Sequence, residues 1–452
     1  MKHFIQNTTL NKQLFGKDFI WGVSTAAFQI EGACADDGKG ESIWDNFSSK
    51  KGKILNGDSP ILACDFYNQY QNDIDLIKSL NIPNFRFSIS WTRILPNGTG
   101  EINQPGIDYY NRIINYCLAN QIEPWVTIYH WDLPQALEIK GGWTNRNIID
   151  WFNEFVKLCA CNFGDRVKHW MVMNEPAVFI GAGYFFGMHA PGRTGLKNFL
   201  PAIHHVILSM VAGAKVLRNI VPQAQIGTTF SCSYIEPYSD KTKDIAAAKR
   251  ADALINRLFI EPILGLGYPV NDIPALKEIE TYFKPGDEHN LKFDFDFIGI
   301  QNYTREIVKY SFFTPYINAS LVKAEKRNVT LTLMKWEVYP PSIYEVIKKY
   351  SAYPQIKNIY ITENGAAFPD HLIDGKVDDT DRVKYLQTHL QQVLKAKNEG
   401  YNVNGYFIWT LTDNFEWAEG YHPRFGLVYV DFNTQQRIIK RSGHWYADFL
   451  KG

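Results

Sequence analysis

The sequence predicts an α/β fold, a single (β/α)8 TIM barrel with elaborated βα loops, and three observations point to it. β-Rich apolar runs recur over 19–24, 84–90, 125–130, 168–174, 225–231, 295–302, 358–363 and 405–409, which makes eight candidate strands. Between them lie stripes at helical spacing: Phe66, Tyr70, Ile74, Ile77, then Ile107, Tyr110, Ile114, Cys117, then Ile148, Phe152, Phe155, Leu158, and Leu386, Leu390, Val393, Leu394 before the last strand. Strands alternating with helices imply parallel pairing through right-handed crossovers, and eight such units match a closed barrel better than an open sheet. A doubly wound sheet is the structural alternative; no glycine-rich phosphate loop follows an early strand, which weakens it. No Ser/Gly/Pro-rich linker divides the chain, so 1–452 reads as one domain.

Composition narrows the partners. Hydrophobic residues make up 45% and charged residues 21%, enough for a large core. Lys+Arg and Asp+Glu both number 47, so no global field draws nucleic acid or an anionic membrane, and a neutral small molecule is favoured. The first ten residues offer no apolar h-region or cleavage site, and no uninterrupted apolar run of about 18 residues suggests a spanning helix. A cytoplasmic location without membrane contact is expected. Six cysteines are too sparse for a disulfide framework, and the Cys159, Cys161 pair has no zinc-spaced partner. They read as reduced, mostly buried thiols.

In a barrel, functional groups gather at the C-terminal ends of the strands. The polar outliers of this chain do so. Gln29 and Glu31 follow strand one, Arg86 lies in strand two, and His130-Trp131-Asp132 ends strand three. Asn174-Glu175 ends strand four, Gln301-Asn302-Tyr303 strand six, Glu363 strand seven and Trp409 strand eight. Two glutamates on rigid strand ends point to paired carboxylate chemistry. Cleavage of a glycosidic bond needs such a pair, one carboxyl protonated for the leaving oxygen and one ionised toward the oxocarbenium-like carbon. Arg86 in the barrel mouth would favour the ionised form of a neighbour, or else form a structural ion pair. Tyr303 offers that carboxylate a hydroxyl donor, or packs in the core; Asn174 offers a sugar hydroxyl an amide, or forms a turn.

The strings Phe28-Gln29-Ile30-Glu31-Gly32-Ala33, Phe85-Arg86-Phe87-Ser88-Ile89-Ser90-Trp91, Tyr129-His130-Trp131-Asp132-Leu133-Pro134, Asn174-Glu175-Pro176, Ile361-Thr362-Glu363-Asn364-Gly365 and Asn414-Phe415-Glu416-Trp417-Ala418-Glu419-Gly420-Tyr421 together resemble the retaining β-glycosidases of glycoside hydrolase family 1. The resemblance runs from about Phe15 to Phe449. It implies Glu175 as acid/base and Glu363 as nucleophile of a double displacement on terminal β-D-glucosyl residues, with Arg86 and Tyr303 in support and with no metal or cofactor. It further implies a sugar-binding shell of Gln29, His130, Asn174, Trp409, Glu416 and Trp417, an aglycone platform at Trp336, and Phe425 lining the sugar pocket or packing in the core.

Two positions depart from the family's pattern. Gln301 stands where relatives commonly have Asn, with Asn302 where an aromatic is frequent, so hydrogen bonding around strand six is expected to differ. Val172 replaces a frequent Thr, a matter of local packing. Rival readings are a 6-phospho-β-glycosidase, against which an ionised Glu416 would repel a phosphate dianion, a binding relative without catalysis, which both glutamates argue against, and a transglycosidase, identical up to the covalent intermediate.

Overall fold

The computed structural model describes residues 10–452, so the stretch read for a secretory signal lies almost wholly outside them. Eight parallel strands close into one barrel: β1 (Ile20–Ser24), β2 (Asn84–Ser88), β3 (Glu123–Tyr129), β4 (His169–Asn174), β5 (Gln225–Ser231), β6 (Phe297–Gln301), β7 (Ile359–Asn364) and β8 (Val403–Trp409). Neighbours in sequence pair, and β1 closes on β8 with Ile20 opposite Gly405 and Ser24 opposite Trp409. Each predicted strand is present, with ends moved by at most two residues. That accuracy follows from burial on both faces, which makes a barrel strand a nearly continuous apolar run.

The principal helices are α1 (Phe66–Ser79), α2 (Gln104–Ala119), α3 (Ile148–Phe163), α4 (Leu196–Ile220), α5 (Thr242–Asp252), α6 (Pro341–Ser351), α7 (Thr380–Asn398) and α8 (Arg441–Lys451). Helices α1, α2, α3 and α7 bury the predicted stripes, Ile74 and Ile77, Ile114 and Cys117, Phe152 and Phe155, Leu386 and Leu390 among them. Helix α4 is long and apolar enough by length and composition to cross a membrane, although His204 and His205 interrupt its run. In this fold 83% of its apolar window is buried. The loop after β6 carries a strand, Arg305–Tyr310, that joins Tyr234–Pro237 and Ala319–Leu321 in a small separate sheet. Of the six cysteines, Cys64, Cys117, Cys159 and Cys232 are buried and all are free thiols.

The barrel interior is layered. Toward the N-terminal ends of the strands, Trp125, Met171, Phe297 and Phe407 form an apolar plug with Ile20 and Tyr360 against it. The Trp125 ring meets Tyr360 and Phe407 edge-on at 5.1 and 4.9 Å between centroids. Glycines on adjacent strands admit these rings: a Cβ at Gly227 would stand 2.3 Å from Phe297, and one at Gly22 2.3 Å from Phe407. Above the plug the inward residues turn polar, and the floor of the mouth begins at Arg86 and Thr127.

Candidate active site

Irregular register at two strand ends aims the glutamates. Pairing of β4 with β5 shifts between Met171 and Asn174, and pairing of β7 shifts between Ile361 and Glu363 on one side and between Ile361 and Asn364 on the other. Such irregularities bend a strand and redirect its side chains. Glu175 follows β4 with φ 47°, a left-handed conformation that side chains seldom adopt. It is held there by its N–H, which donates to the Thr229 carbonyl at 3.0 Å, and by the helical turn beginning at Pro176.

Glu175 and Glu363 line one cavity of about 450 Å³, together with Gln29, His130, Tyr303, Trp336, Trp409, Glu416, Trp417 and Phe425. Arg86 and Asn174 stand behind its wall, fully buried. Arg86 donates through Nη1 to Glu363 Oε1 and through Nη2 to Asn174 Oδ1, while its Nε reaches Thr127 Oγ1 at 3.2 Å. Gln301 Nε2 donates to Glu363 Oε1 and to Asn174 Oδ1, both at 2.7 Å. The Tyr303 hydroxyl donates to Glu363 Oε2 at 2.7 Å. Both oxygens of Glu363 are thus held by donors that favour its charge.

Three of the strand-end residues do not line the cavity. Asn174 stands behind its wall, where its Oδ1 accepts from Arg86, Thr229 and Gln301 and its Nδ2 lies 3.0 Å from His130 Nε2. It holds neighbours in place. Glu31 and Asp132 end strands yet do not face the cavity; Glu31 pairs with Arg93 at 2.6 Å and accepts from Tyr110 at 2.7 Å. Burial and the Glu363 charge push Glu416 up to about 8, against hydrogen bonds from Gln29 and Trp409. What a phosphate would lack is a cation: five glutamates (175, 306, 363, 416 and 419) line the cavity, and no Lys or Arg among the described residues does.

The departure at strand six is visible. Gln301 bridges Asn174 and Glu363, whereas Asn302 turns away and donates to the Cys232 carbonyl and Ser342 Oγ, both at 2.8 Å. Sequence reasoning overlooked strand five, which supplies Thr229 behind the wall and Ser231 on it. The available signal was Thr228-Thr229-Phe230-Ser231, a polar cluster inside an otherwise apolar strand. Glu306, on the strand Arg305–Tyr310 of the small sheet, and Met334 and His189, on loops, are also on the wall, where no periodicity marks them.

Electrostatics separate the two glutamates. Burial lifts the Glu175 pKa well above the carboxylate range, and the Glu363 charge adds to the rise against the opposing Arg86 and Ser231. Burial lifts Glu363 as well, but the Arg86 charge and the hydrogen bonds from Arg86 and Tyr303 pull it back. The pair therefore keeps its proton on Glu175 and its negative charge on Glu363. Burial and the Arg86 charge hold His130 neutral. Gln29 Oε1 and His130 Nδ1 are buried without a protein hydrogen-bond partner. Because buried polar atoms are nearly always paired, these two mark where a polar ligand meets the wall.

The model of the family described as "Glycosyl hydrolase family 1" matches residues 11–452. The chain belongs to glycosyl hydrolase family 1. This family 1 hydrolase is 44% identical over 444 residues to "Beta-glucosidase A" of Thermotoga maritima, with 98% of this chain and 99% of the relative covered. It is also 44% identical over 439 residues to the "1,4-beta-D-glucan glucohydrolase" of Thermotoga neapolitana, covering 97% and 98%. The solved family 1 β-glucosidase of Thermotoga maritima superposes with a TM-score of 0.93 at 44% identity, over 96% of this chain and 98% of that one. The same enzyme in complex with deoxynojirimycin matches with a TM-score of 0.93, 44% identity and the same coverage. In this family 1 barrel the match spans every strand that carries a residue of the cavity.

Proposed function

We propose that this chain is a cytoplasmic retaining β-glucosidase that releases terminal β-D-glucosyl residues from cello-oligosaccharides and from aryl or alkyl β-glucosides, with β-galactosides and β-fucosides also accepted. The observation that carries the reading is the asymmetry of the two glutamates in one cavity. Glu363, held ionised by Arg86, Gln301 and Tyr303, attacks the anomeric carbon while Glu175 gives its proton to the departing oxygen. Formation of the glycosyl ester removes the Glu363 charge, and with it the second cause of the raised Glu175 pKa. Glu175, now more acidic and ionised, takes a proton from water, which displaces Glu363 and leaves the β configuration. Gln29 and Glu416, joined by a 3.2 Å hydrogen bond from the Gln29 amide, offer adjacent sugar hydroxyls polar partners, and the indoles of Trp409 and Trp417 give the ring apolar faces. A cavity without cations suits an unphosphorylated sugar, so a 6-phosphoglycoside is disfavoured.

Proton NMR of the first product from an aryl β-glucoside tests the reading. The β-anomer is expected first; α-glucose first would overturn retention. In azide, Glu175→Ala is expected to yield a β-glycosyl azide and Glu363→Ala an α-glycosyl azide, which separates acid/base from nucleophile.

A further inference from the structure

Glu306 takes no part in the double displacement, yet it lines the catalytic cavity with Ser233, Thr304 and Met334. It lies on the strand Arg305–Tyr310, opposite Ile235 of the small sheet. Burial pushes its pKa up to about 7, against the Arg327 charge and with the Glu337 charge, and no hydrogen bond from a described residue holds the carboxyl. The neighbouring guanidiniums are committed elsewhere. Arg305 donates to both Glu337 oxygens, at 2.9 and 2.8 Å, and to Glu236 at 2.7 Å, while Arg327 donates to Glu337 at 2.5 Å. Since no Lys or Arg among the described residues lines the cavity, Glu306 is an acceptor whose counter-charge the protein does not supply. Its place is at the leaving-group end. Gln29 and Glu416 follow β1 and β8, whereas Glu306 follows β6, near Ser231, which hydrogen-bonds Glu175. Trp336 stands next to Glu337, whose field reaches Glu306, and its ring lies 5.3 Å from that of Tyr303 between centroids.

We infer that Glu306 is a specificity-determining residue that selects β-glucosides whose leaving group carries a protonated amine, with the Trp336 and Tyr303 rings against the same group. A carboxylate beside aromatic faces is the chemistry that recognises an ammonium, through a charge-assisted hydrogen bond and the negative faces of the rings. A hydroxyl on a neutral leaving group donates one hydrogen bond and leaves the charge of Glu306 in place. An ammonium supplies the missing counter-charge and is drawn as well by every other ionised glutamate of the cavity. A carboxylate on the leaving group meets only repulsion. The inference rests on the glucosidase reading for the position of the sugar, and it adds a chemical class for what the sugar is attached to.

The test is calorimetric binding of two non-hydrolysed β-D-thioglucosides of nearly equal shape, the 4-(aminomethyl)phenyl and the 4-(hydroxymethyl)phenyl compound, at about pH 8, where Glu306 is mostly ionised and the amine is still charged. Wild type is expected to bind the amine about tenfold more tightly, as a hydrogen bond between charged groups does. Glu306→Gln is expected to lose most of that advantage. Glu419→Gln, which removes another carboxyl of the same wall, is expected to keep it. An advantage that survives in Glu306→Gln, or that Glu419→Gln abolishes as fully, overturns the inference, because the general field of the cavity would then be the selector. Carbon NMR of labelled glutamate carboxyls on wild type answers the question even if a variant misfolds. The amine is expected to move the Glu306 titration to lower pH, and equal titrations in the two complexes overturn the inference. Equal Kd values on wild type overturn it too and leave the glucosidase reading standing. Failure to hydrolyse any β-glucoside would instead sink that reading, because binding is read without turnover.

Discussion

On the β6–β7 side of the barrel mouth, Glu363 meets a guanidinium, an amide and a phenol, all donating to its two oxygens. On the β4–β5 side, Glu175 meets the Ser231 hydroxyl and the negative field of Glu363 itself. Both carboxyls are buried to a similar degree, at 3% and 6% exposure, so burial alone would make them alike. The difference is made by their neighbours: the donors around Glu363 favour its charged form, and that charge favours the protonated form of Glu175.

Removing Glu363 erases the comparison and has the largest expected effect. Glu363→Ala is expected to lower kcat on an aryl β-glucoside by about 10⁵-fold or more, as loss of a covalent nucleophile does. Glu175→Ala should cost about 10²- to 10⁴-fold on cellobiose, where the leaving oxygen needs its proton. The same variant should form the intermediate nearly normally from 2,4-dinitrophenyl β-glucoside, whose leaving group needs none; stopped-flow burst amplitudes check this. Equal losses on both substrates would mean that Glu175 is not the acid.

Gln301→Leu sharpens the comparison by removing one donor from Glu363. Loss of a hydrogen bond to a charged group predicts a drop in kcat/KM of about 10- to 100-fold. It also predicts a direction in pH. A carboxylate with one donor fewer holds its proton more tightly, so the acidic limb of kcat/KM should move to higher pH, and a limb that stays put would show Gln301 to be mere packing. In Glu363→Gln the opposing charge is gone, and Glu175 should titrate at lower pH, read by carbon NMR of labelled glutamate carboxyls.

The smallest effect is on stability. Folding raises the Glu175 pKa, so the folded protein binds that proton more tightly than the unfolded chain. The contribution to stability is complete below the unfolded value of about 4.3 and is lost as pH rises through the folded one. Glu175→Gln cannot ionise and escapes that loss. Its melting temperature should gain on wild type by about 1–2 °C between pH 5 and pH 8, measured by scanning calorimetry.

Much of this is legible in the order of residues along the chain. The eight strands can be read because both faces of each are buried, and Glu175 and Glu363 because their motifs close apolar runs. Asn174 is legible as a site residue but not in its role, since the amide's partners, Arg86, Thr229 and Gln301, come from three other strands. Thr229 and Ser231 escape notice because two hydroxyls within one strand look the same whether they face a cavity or a helix. The strand Arg305–Tyr310 escapes because its partners, Tyr234–Pro237 and Ala319–Leu321, are separated from it in sequence.

By itself the sequence determined the barrel, the pair of glutamates and the neutral balance of charge, because periodicity, motif and composition are local or additive properties of the chain. The tertiary structure supplied the physical cause that sets the two glutamates apart, the donors gathered around Glu363. It decided as well that Glu416 is buried within the field of Glu363, which pushes it up to about 8, and that an apolar cavity shares Val178 and Ser231 with the polar one. These follow from burial, from register shifts at the ends of β4 and β7, and from charges brought together from distant strands, and all three depend on distances through space that no local pattern encodes.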